Sequence, residues 1–159
     1  MTKIQKPMIV NYLQQRDYEG IIRIDKCTEF NRLLKSFDIN LKHNGITPLH
    51  YICSYISNNS INRFTPKLIQ LIINKGGNVN TMNNDGNTII HTIIEEAMLL
   101  KNNNNKRKKY EKDIIKQLII NNLDLHTKNL EGITPIDYIK KLELYDSKRY
   151  KHIIEILEK

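Results

Sequence analysis

The sequence predicts an all-α protein built from repeated helix pairs, and three observations indicate this fold class. A seven-residue motif occurs three times, as NGITPLH at residues 44–50, DGNTIIH at 85–91 and EGITPID at 131–137. Each copy is followed by apolar residues at the three- and four-residue intervals of an amphipathic helix. The first two repeats then close on similar short segments, GNVN at 77–80 and LDLH at 123–126.

Each residue type of the motif has a physical role at its position. The glycine is expected in a tight turn with positive φ, the threonine is expected to cap a helix, and the proline suits the first helical position. His50 and His91 then lie in a first helical turn, where the ring can hydrogen-bond to the cap or to nearby backbone. We interpret both as structural, because the alternative, a metal pair, lacks Cys or carboxylate at ligand spacing. Asp137 takes the histidine's place in the third copy.

The helices follow in chain order from the apolar periodicity. Residues 7–15 predict a short helix, and residues 27–37 predict the second helix of a degenerate repeat. The first complete repeat has an inner helix from 47 to about 57 and an outer helix from about 65 to 74, where Thr-Pro again starts the helix. The last repeat ends in a capping helix with one apolar face, formed by Tyr150, Ile153, Ile154 and Leu157.

The motif G-x-T-P-L-H, with the apolar helices and closing segments that follow it, resembles the ankyrin repeat. The resemblance covers about three-quarters of the chain. It implies a solenoid of stacked helix pairs with β-turn connections, about three repeats plus a degenerate N-terminal cap. It also implies protein binding through the tips of the turns and the concave face of the inner helices.

The spacing of the motifs departs from that family. Gly45 to Gly86 is 41 residues and Gly86 to Gly132 is 46, whereas an ankyrin period is about 33. Both insertions lie within the helix pairs, because the distance from threonine to closing segment is lengthened by the same amounts. In the second repeat the periodicity reaches Leu100 and resumes at Tyr110. We therefore predict two lengthened helices joined by an asparagine loop, as a hairpin projecting opposite the turns.

These observations predict one domain over residues 1–159, without a further division into independent units. Its parts are a degenerate cap (1–43), a repeat with a short insertion (44–83), a repeat with a long basic helical-hairpin insertion (84–129) and a C-terminal capping repeat (130–159).

The positive charge is concentrated in the predicted hairpin. The chain has a formal net charge of +8, and residues 101–116 hold seven Lys or Arg against Glu111 and Asp113, a net of +5. The predicted tip is a basic patch of Lys106, Arg107, Lys108 and Lys109. Three interpretations stay open: a solvated charge run, a nuclear-import signal, or binding of nucleic acid or an anionic surface through 101–116. Since Tyr110 is the one aromatic residue nearby, any nucleic-acid binding is expected to be weakly specific and salt-sensitive.

Several function classes are not supported. The sequence contains no nucleophile elbow, phosphate-binding glycine loop or paired metal motif, so we predict no enzyme activity, no catalytic residue, no cofactor and no metal. No apolar run has the length of a membrane span, and the start of the chain lacks the apolar core of a signal peptide. Cys27 and Cys53 are expected to be reduced thiols. We expect an intracellular protein, cytoplasmic or nuclear.

The resemblance implies which residues contact a partner. The exposed position after the motif is held by Tyr51, Thr92 and Tyr138, and the predicted turn tips add Ile46, Asn87, Leu130 and Ile133. The expected partner is another protein and not a small-molecule substrate, with binding that inhibits or sequesters it. The abundance of Ile, Asn and Lys indicates an AT-rich genome, so the resemblance extends to ankyrin proteins of viruses or intracellular pathogens, and a host signalling or immune factor is the expected partner.

Overall fold

The computed structural model describes residues 38–54, 65–99 and 105–158. The predicted helices at 7–15 and 27–37, most of the degenerate cap and Cys27 lie outside this part of the chain. So do the end of the first inner helix and most of the asparagine loop.

Five α-helices form the described structure. They are α1 (Pro48–Ser54), α2 (Thr65–Asn74), α3 (Ile89–Leu99), α4 (Asn105–Ile120) and α5 (Pro135–Leu157). The backbone of Asp146 is not helical (φ −166°, ψ 77°), so α5 is two helical segments joined at a kink. The described ranges contain no strand, and their only β-bridge joins His43 to Ile46. The predicted all-α fold class is confirmed.

The motif residues begin the helices as predicted. Pro48 and Pro135 are the first residues of α1 and α5. Before α5, the Thr134 hydroxyl oxygen accepts a hydrogen bond from the Asp137 amide (3.2 Å), and the Asp137 carboxylate accepts one from the Thr134 amide (2.9 Å). This reciprocal pair is a capping box, which satisfies two backbone donors that a helix start leaves open. These bonds favour the ionised carboxylate and hold the pKa of Asp137 below its usual value.

The helices pack in two layers. In the inner layer α1 contacts α3, and α3 contacts α5. In the outer layer α2 contacts α4, and α4 contacts α5. Within the first repeat α1 also packs against α2. Because of the kink, α5 contributes to both layers. Tyr138, in the segment before the kink, forms a hydrogen bond with α3, and His152, in the segment after it, forms one with α4. The third helix pair is thus a single bent helix.

One apolar core runs through the whole stack. Its fully buried side chains come from every helix, and they include Leu49, Ile69, Ile93, Leu118 and Leu142. Burial of a Leu or Ile side chain stabilises a fold by about 1.5–3 kcal/mol. Cys53 lies in this core as a free thiol, and burial raises its pKa. Because each pair buries its apolar face against the next, the helices hold the connecting turns in one row.

Candidate functional site

The turns that connect the repeats are held by local polar contacts. Gly45, Gly86 and Gly132 have φ of 83°, 74° and 76°, as the motif predicts. In the second turn the Asn83 side-chain oxygen accepts hydrogen bonds from the amides of Asp85 and Asn87, both at 2.9 Å. Asn129 does the same in the third turn, accepting from Glu131 (3.1 Å) and Ile133 (2.9 Å). The shapes of the second and third turns are therefore each held by one asparagine side chain.

Neighbouring turns contact each other directly. The Leu130 amide donates to the Asp85 carbonyl (3.0 Å), and the Asn129 side-chain amide donates to the Asn87 side-chain oxygen (2.8 Å). A Cβ on Gly86 would lie 2.8 Å from the Leu130 nitrogen, so this approach requires glycine. The second and third turns consequently form one continuous edge.

The motif histidines tie each inner helix to the following turn. The His50 Nδ1 lies 2.8 Å from the Thr47 hydroxyl, and its Nε2 lies 3.0 Å from the Asn87 carbonyl. A carbonyl can only accept, so Nε2 carries the proton and Nδ1 accepts from the hydroxyl. His91 repeats the arrangement with Thr88 and the Ile133 carbonyl (2.8 and 3.0 Å). The predicted hydrogen bonds of both rings to the cap and to nearby backbone are present, which supports a structural role for the two histidines.

Burial favours the neutral form of both rings. His50 is 1% exposed, and desolvation lowers its pKa to about 4. Desolvation also lowers the pKa of His91. Within the described ranges no three His, Cys, Asp or Glu side chains lie close enough to share a metal ion.

Large apolar side chains are exposed on all three turns. Leu130 is 79% exposed, Leu41 is 53% exposed and Met82 is 39% exposed. Ile46 and Ile133, also predicted contact residues, are half-buried in the same turns. We call Leu41, Ile46, Met82, Leu130 and Ile133 the turn surface. Each of the three turns thus presents one large exposed apolar side chain.

Two residues predicted to be exposed contacts are buried instead. Tyr138 is 8% exposed, and its hydroxyl donates to the Glu95 carboxylate at 2.6 Å. Asn87 is 7% exposed, and its side-chain amide donates to the same carboxylate at 3.0 and 3.1 Å. The predicted exposure is wrong for both residues. Glu95 lies one helical turn after Thr92, and its carboxylate accepts hydrogen bonds from both side chains. Burial and the nearby carboxylate raise the pKa of Tyr138.

The remaining inner positions stay accessible. Tyr51 and Thr92 are half-buried on α1 and α3. The Lys141 ammonium lies 5.3 Å from the centre of the Tyr138 ring, on the same helix as that ring. Tyr51 and Thr92 therefore remain candidate contacts on the inner helices.

The predicted basic patch is divided by the structure. Lys106 and Lys109 are exposed and Lys108 is half-buried, but Arg107 is 7% exposed. Its guanidinium lies 2.6 Å from the Glu111 carboxylate, which also lies 2.6 Å from His152 Nε2 on α5. The expected free basic tip is therefore wrong at Arg107, because that side chain belongs to a buried polar cluster fixing α4 to α5.

Sequence reasoning missed Leu41, Met82 and Glu95. Leu41 and Met82 had a readable signal, since each is an apolar residue among polar neighbours in a turn. Glu95 had a weaker one, because it is a carboxylate next to the apolar residues Ile93 and Ile94 but is followed directly by a second glutamate.

Among the described residues, no helix is both long enough and apolar enough to cross a membrane. A family model described as "Ankyrin repeat" matches residues 44–84, which span the first motif, α1, α2 and the second turn up to Asn84. Ankyrin repeats are non-enzymatic modules that generally mediate protein–protein interaction. With this match in the first repeat, and the same turn, cap and histidine geometry in the later ones, the protein has the fold of an ankyrin-repeat solenoid.

Proposed function

We propose that this protein binds another protein through the turn surface, together with Tyr51 and Thr92 on the adjoining inner helices. The observation that carries the proposal is the exposure of Leu41, Met82 and Leu130 in three successive turns. Soluble proteins expose single apolar residues routinely, but a contiguous apolar row typically marks an interaction site.

The rigidity of this edge supports the same function. Asn83 and Asn129 fix the shape of their turns, and the Leu130 amide joins one turn to the next. A surface ordered before binding loses little conformational entropy when the partner docks. More of the free energy gained by burying the turn surface is then available as binding affinity.

The finer part of the proposal concerns the partner. We propose a host signalling or immune factor, which binding inhibits or sequesters inside the cell. The composition typical of an AT-rich genome and the fold analogy support this part.

Site-specific photocrosslinking tests the proposal. A photoreactive residue replaces Leu130, and in a matched protein it replaces Leu144, which is 87% exposed on α5. Both proteins are irradiated in the same lysate, and the crosslinked proteins are identified by mass spectrometry. We expect a specific protein to be recovered from position 130 and not from 144. Recovery of the same proteins from both positions, or from 144 alone, contradicts the turn surface as the site.

A binding measurement with the recovered protein adds a quantitative test. Replacement of Leu130 and Met82 by serine should weaken binding by about tenfold or more, since apolar anchors dominate interface energies. Leu144→Ser is the control, because it removes an equally exposed apolar side chain elsewhere. Equal effects of the two variants contradict the proposal.

A further inference from the structure

The outward side of α4 carries a stripe of charge that the turn surface does not explain. The buried residues Arg107, Glu111, Ile114 and Leu118 define the inward side of this helix. The opposite side presents Lys109 and Lys116, both exposed, with half-exposed Lys112 between them. These lysines are spaced i, i+3 and i+7, so they lie along one helical face.

The stripe continues into exposed apolar residues. Ile119 and Ile120, at the end of α4, are 41% and 79% exposed. They follow Lys116 by three and four residues and therefore extend the same face. The row from Lys109 to Ile120 is about 16 Å long at the rise of an α-helix. We call Lys109, Lys112, Lys116, Ile119 and Ile120 the lysine stripe.

One carboxylate of α4, Asp113, lies beside the stripe, four residues after Lys109 and three before Lys116. None of Lys109, Lys112 and Lys116 forms an ion pair with a carboxylate in the part of the chain that the structure describes. Glu111, on the same helix, faces inward and is occupied by Arg107 and His152. Like charges four residues apart, as at Lys112 and Lys116, slightly destabilise a helix. The opposite charges of Lys109 and Asp113, also four residues apart, offset this effect, so the stripe keeps an excess of positive charge that an acidic partner can pair.

From this charge pattern we propose that the lysine stripe is a second docking surface, for an acidic protein segment with an apolar residue at one end. Carboxylates at matching intervals pair with the lysines, and the apolar residue covers Ile120. The stripe lies on the outer layer, whereas the turn surface belongs to the connections between repeats. The proposal therefore does not depend on the proposed function.

The composition of the stripe favours a protein over a nucleic acid. Arginine is the side chain that binds phosphate and base edges in bidentate fashion, and the one arginine of α4 is turned inward. The stripe has no aromatic side chain on which a base could stack. A phosphate backbone also leaves Ile120 uncovered, whereas a protein segment can bury it.

The test begins with selection from a phage-displayed random peptide library on the full chain. We expect acidic peptides with an apolar residue at one end, and a labelled selected peptide is then measured by fluorescence polarisation at low and moderate salt. The triple variant Lys109→Gln, Lys112→Gln, Lys116→Gln should weaken binding about tenfold or more at low salt. The matched control is Lys42→Gln, Lys128→Gln, Lys140→Gln, which removes the same charge from exposed positions elsewhere.

A second pair of variants separates the partner classes. Ile120→Ser should weaken peptide binding about fivefold at either salt concentration, while Leu144→Ser leaves it unchanged. Duplex DNA and phosphatidylserine vesicles are measured with the same proteins. The proposal is overturned if no acidic peptide is selected, if both triple variants weaken binding equally, or if DNA or vesicles bind more tightly through the same lysines.

Discussion

Single polar residues join the repeats of this protein, in addition to its apolar core. The Asn40 side chain donates to the Gly76 carbonyl (2.9 Å) and accepts from the Asn78 amide (2.7 Å). Asn80 makes the same two bonds one repeat later, to the Asn122 carbonyl (2.8 Å) and from the Asp124 amide (2.9 Å). Hydrogen bonds are directional, so these contacts fix how the repeats align, which apolar burial alone does not.

The buried histidines should make the protein sensitive to acid. The pKa of His50 is about 4 in the folded chain and about 6.5 when unfolded, so between these values the unfolded state binds more protons. Its contribution to stability is therefore complete above pH 6.5 and is lost as pH falls toward 4. At pH 4.5 this histidine alone should lower the free energy of unfolding by roughly 2–3 kcal/mol relative to pH 7.

Urea unfolding at several pH values checks this expectation. His50→Gln, which cannot titrate, should flatten the decline of stability between pH 6.5 and 4.5. His126→Gln, at an exposed position in the third turn, should leave the decline unchanged. An identical pH profile for wild-type protein and His50→Gln would show that the ring is not held neutral by its burial.

Two motif glycines with the same backbone conformation should differ in their tolerance of alanine. Gly86 and Gly132 both have positive φ, which costs an L-residue about 1 kcal/mol or more. At Gly86 a Cβ also meets the Leu130 and Asn129 backbone at 2.8–3.2 Å, whereas at Gly132 no atom lies within 4 Å. Gly86→Ala should cost at least about 1 kcal/mol more than Gly132→Ala in chemical denaturation, because the turns must separate. Equal costs would mean that the second and third turns do not pack together.

At the scale of the elements, α4 and the end of α5 are joined by buried charge. Arg107, Glu111, Ile114 and Leu118 share one face of α4, and the glutamate bridges Arg107 to His152 across the helix interface. The spacing of the motifs predicted that both helices of this repeat are long. It did not predict an inward arginine, although Arg107 lies four residues before Glu111 and on the face of Ile114. Because Arg107 stands in a run of four basic residues, its helical spacing to Glu111 and Ile114 did not stand out.

Removal of the central carboxylate should be far more costly than removal of an exposed one. Glu111→Gln leaves the Arg107 guanidinium buried without its counter-charge, and breaking such a pair costs about 3–5 kcal/mol. Glu155→Gln is the matched control, because Glu155 pairs with Lys151 at 3.6 Å on an exposed face, where ion pairs contribute about 0–1 kcal/mol. Thermal and urea unfolding of both variants measure the difference. A Glu111→Gln protein as stable as the control would show that α4 is not fixed to α5 by this cluster.

For the molecule as a whole, local sequence patterns predicted the helices and turns. Contacts between residues far apart in the sequence determined which candidate contact residues are exposed. The glycine turns, the Thr-Pro starts and the capping helix were readable, because each depends on residues within a few positions of one another. The burial of Tyr138 was not, since it depends on Glu95, which is 43 residues away in the sequence. The sequence therefore predicted the exposure of Leu130 correctly but not the burial of Tyr138 on an inner helix and of Asn87 in the second turn.

Hydrogen–deuterium exchange of the protein, alone and with the partner recovered by crosslinking, locates the binding surface. If the turn surface is the binding site, amides in residues 40–46, 80–87 and 126–133 should exchange more slowly in the complex. Slower exchange confined to the outer helices α2 and α4, with the three turns unchanged, would contradict binding at the turn surface.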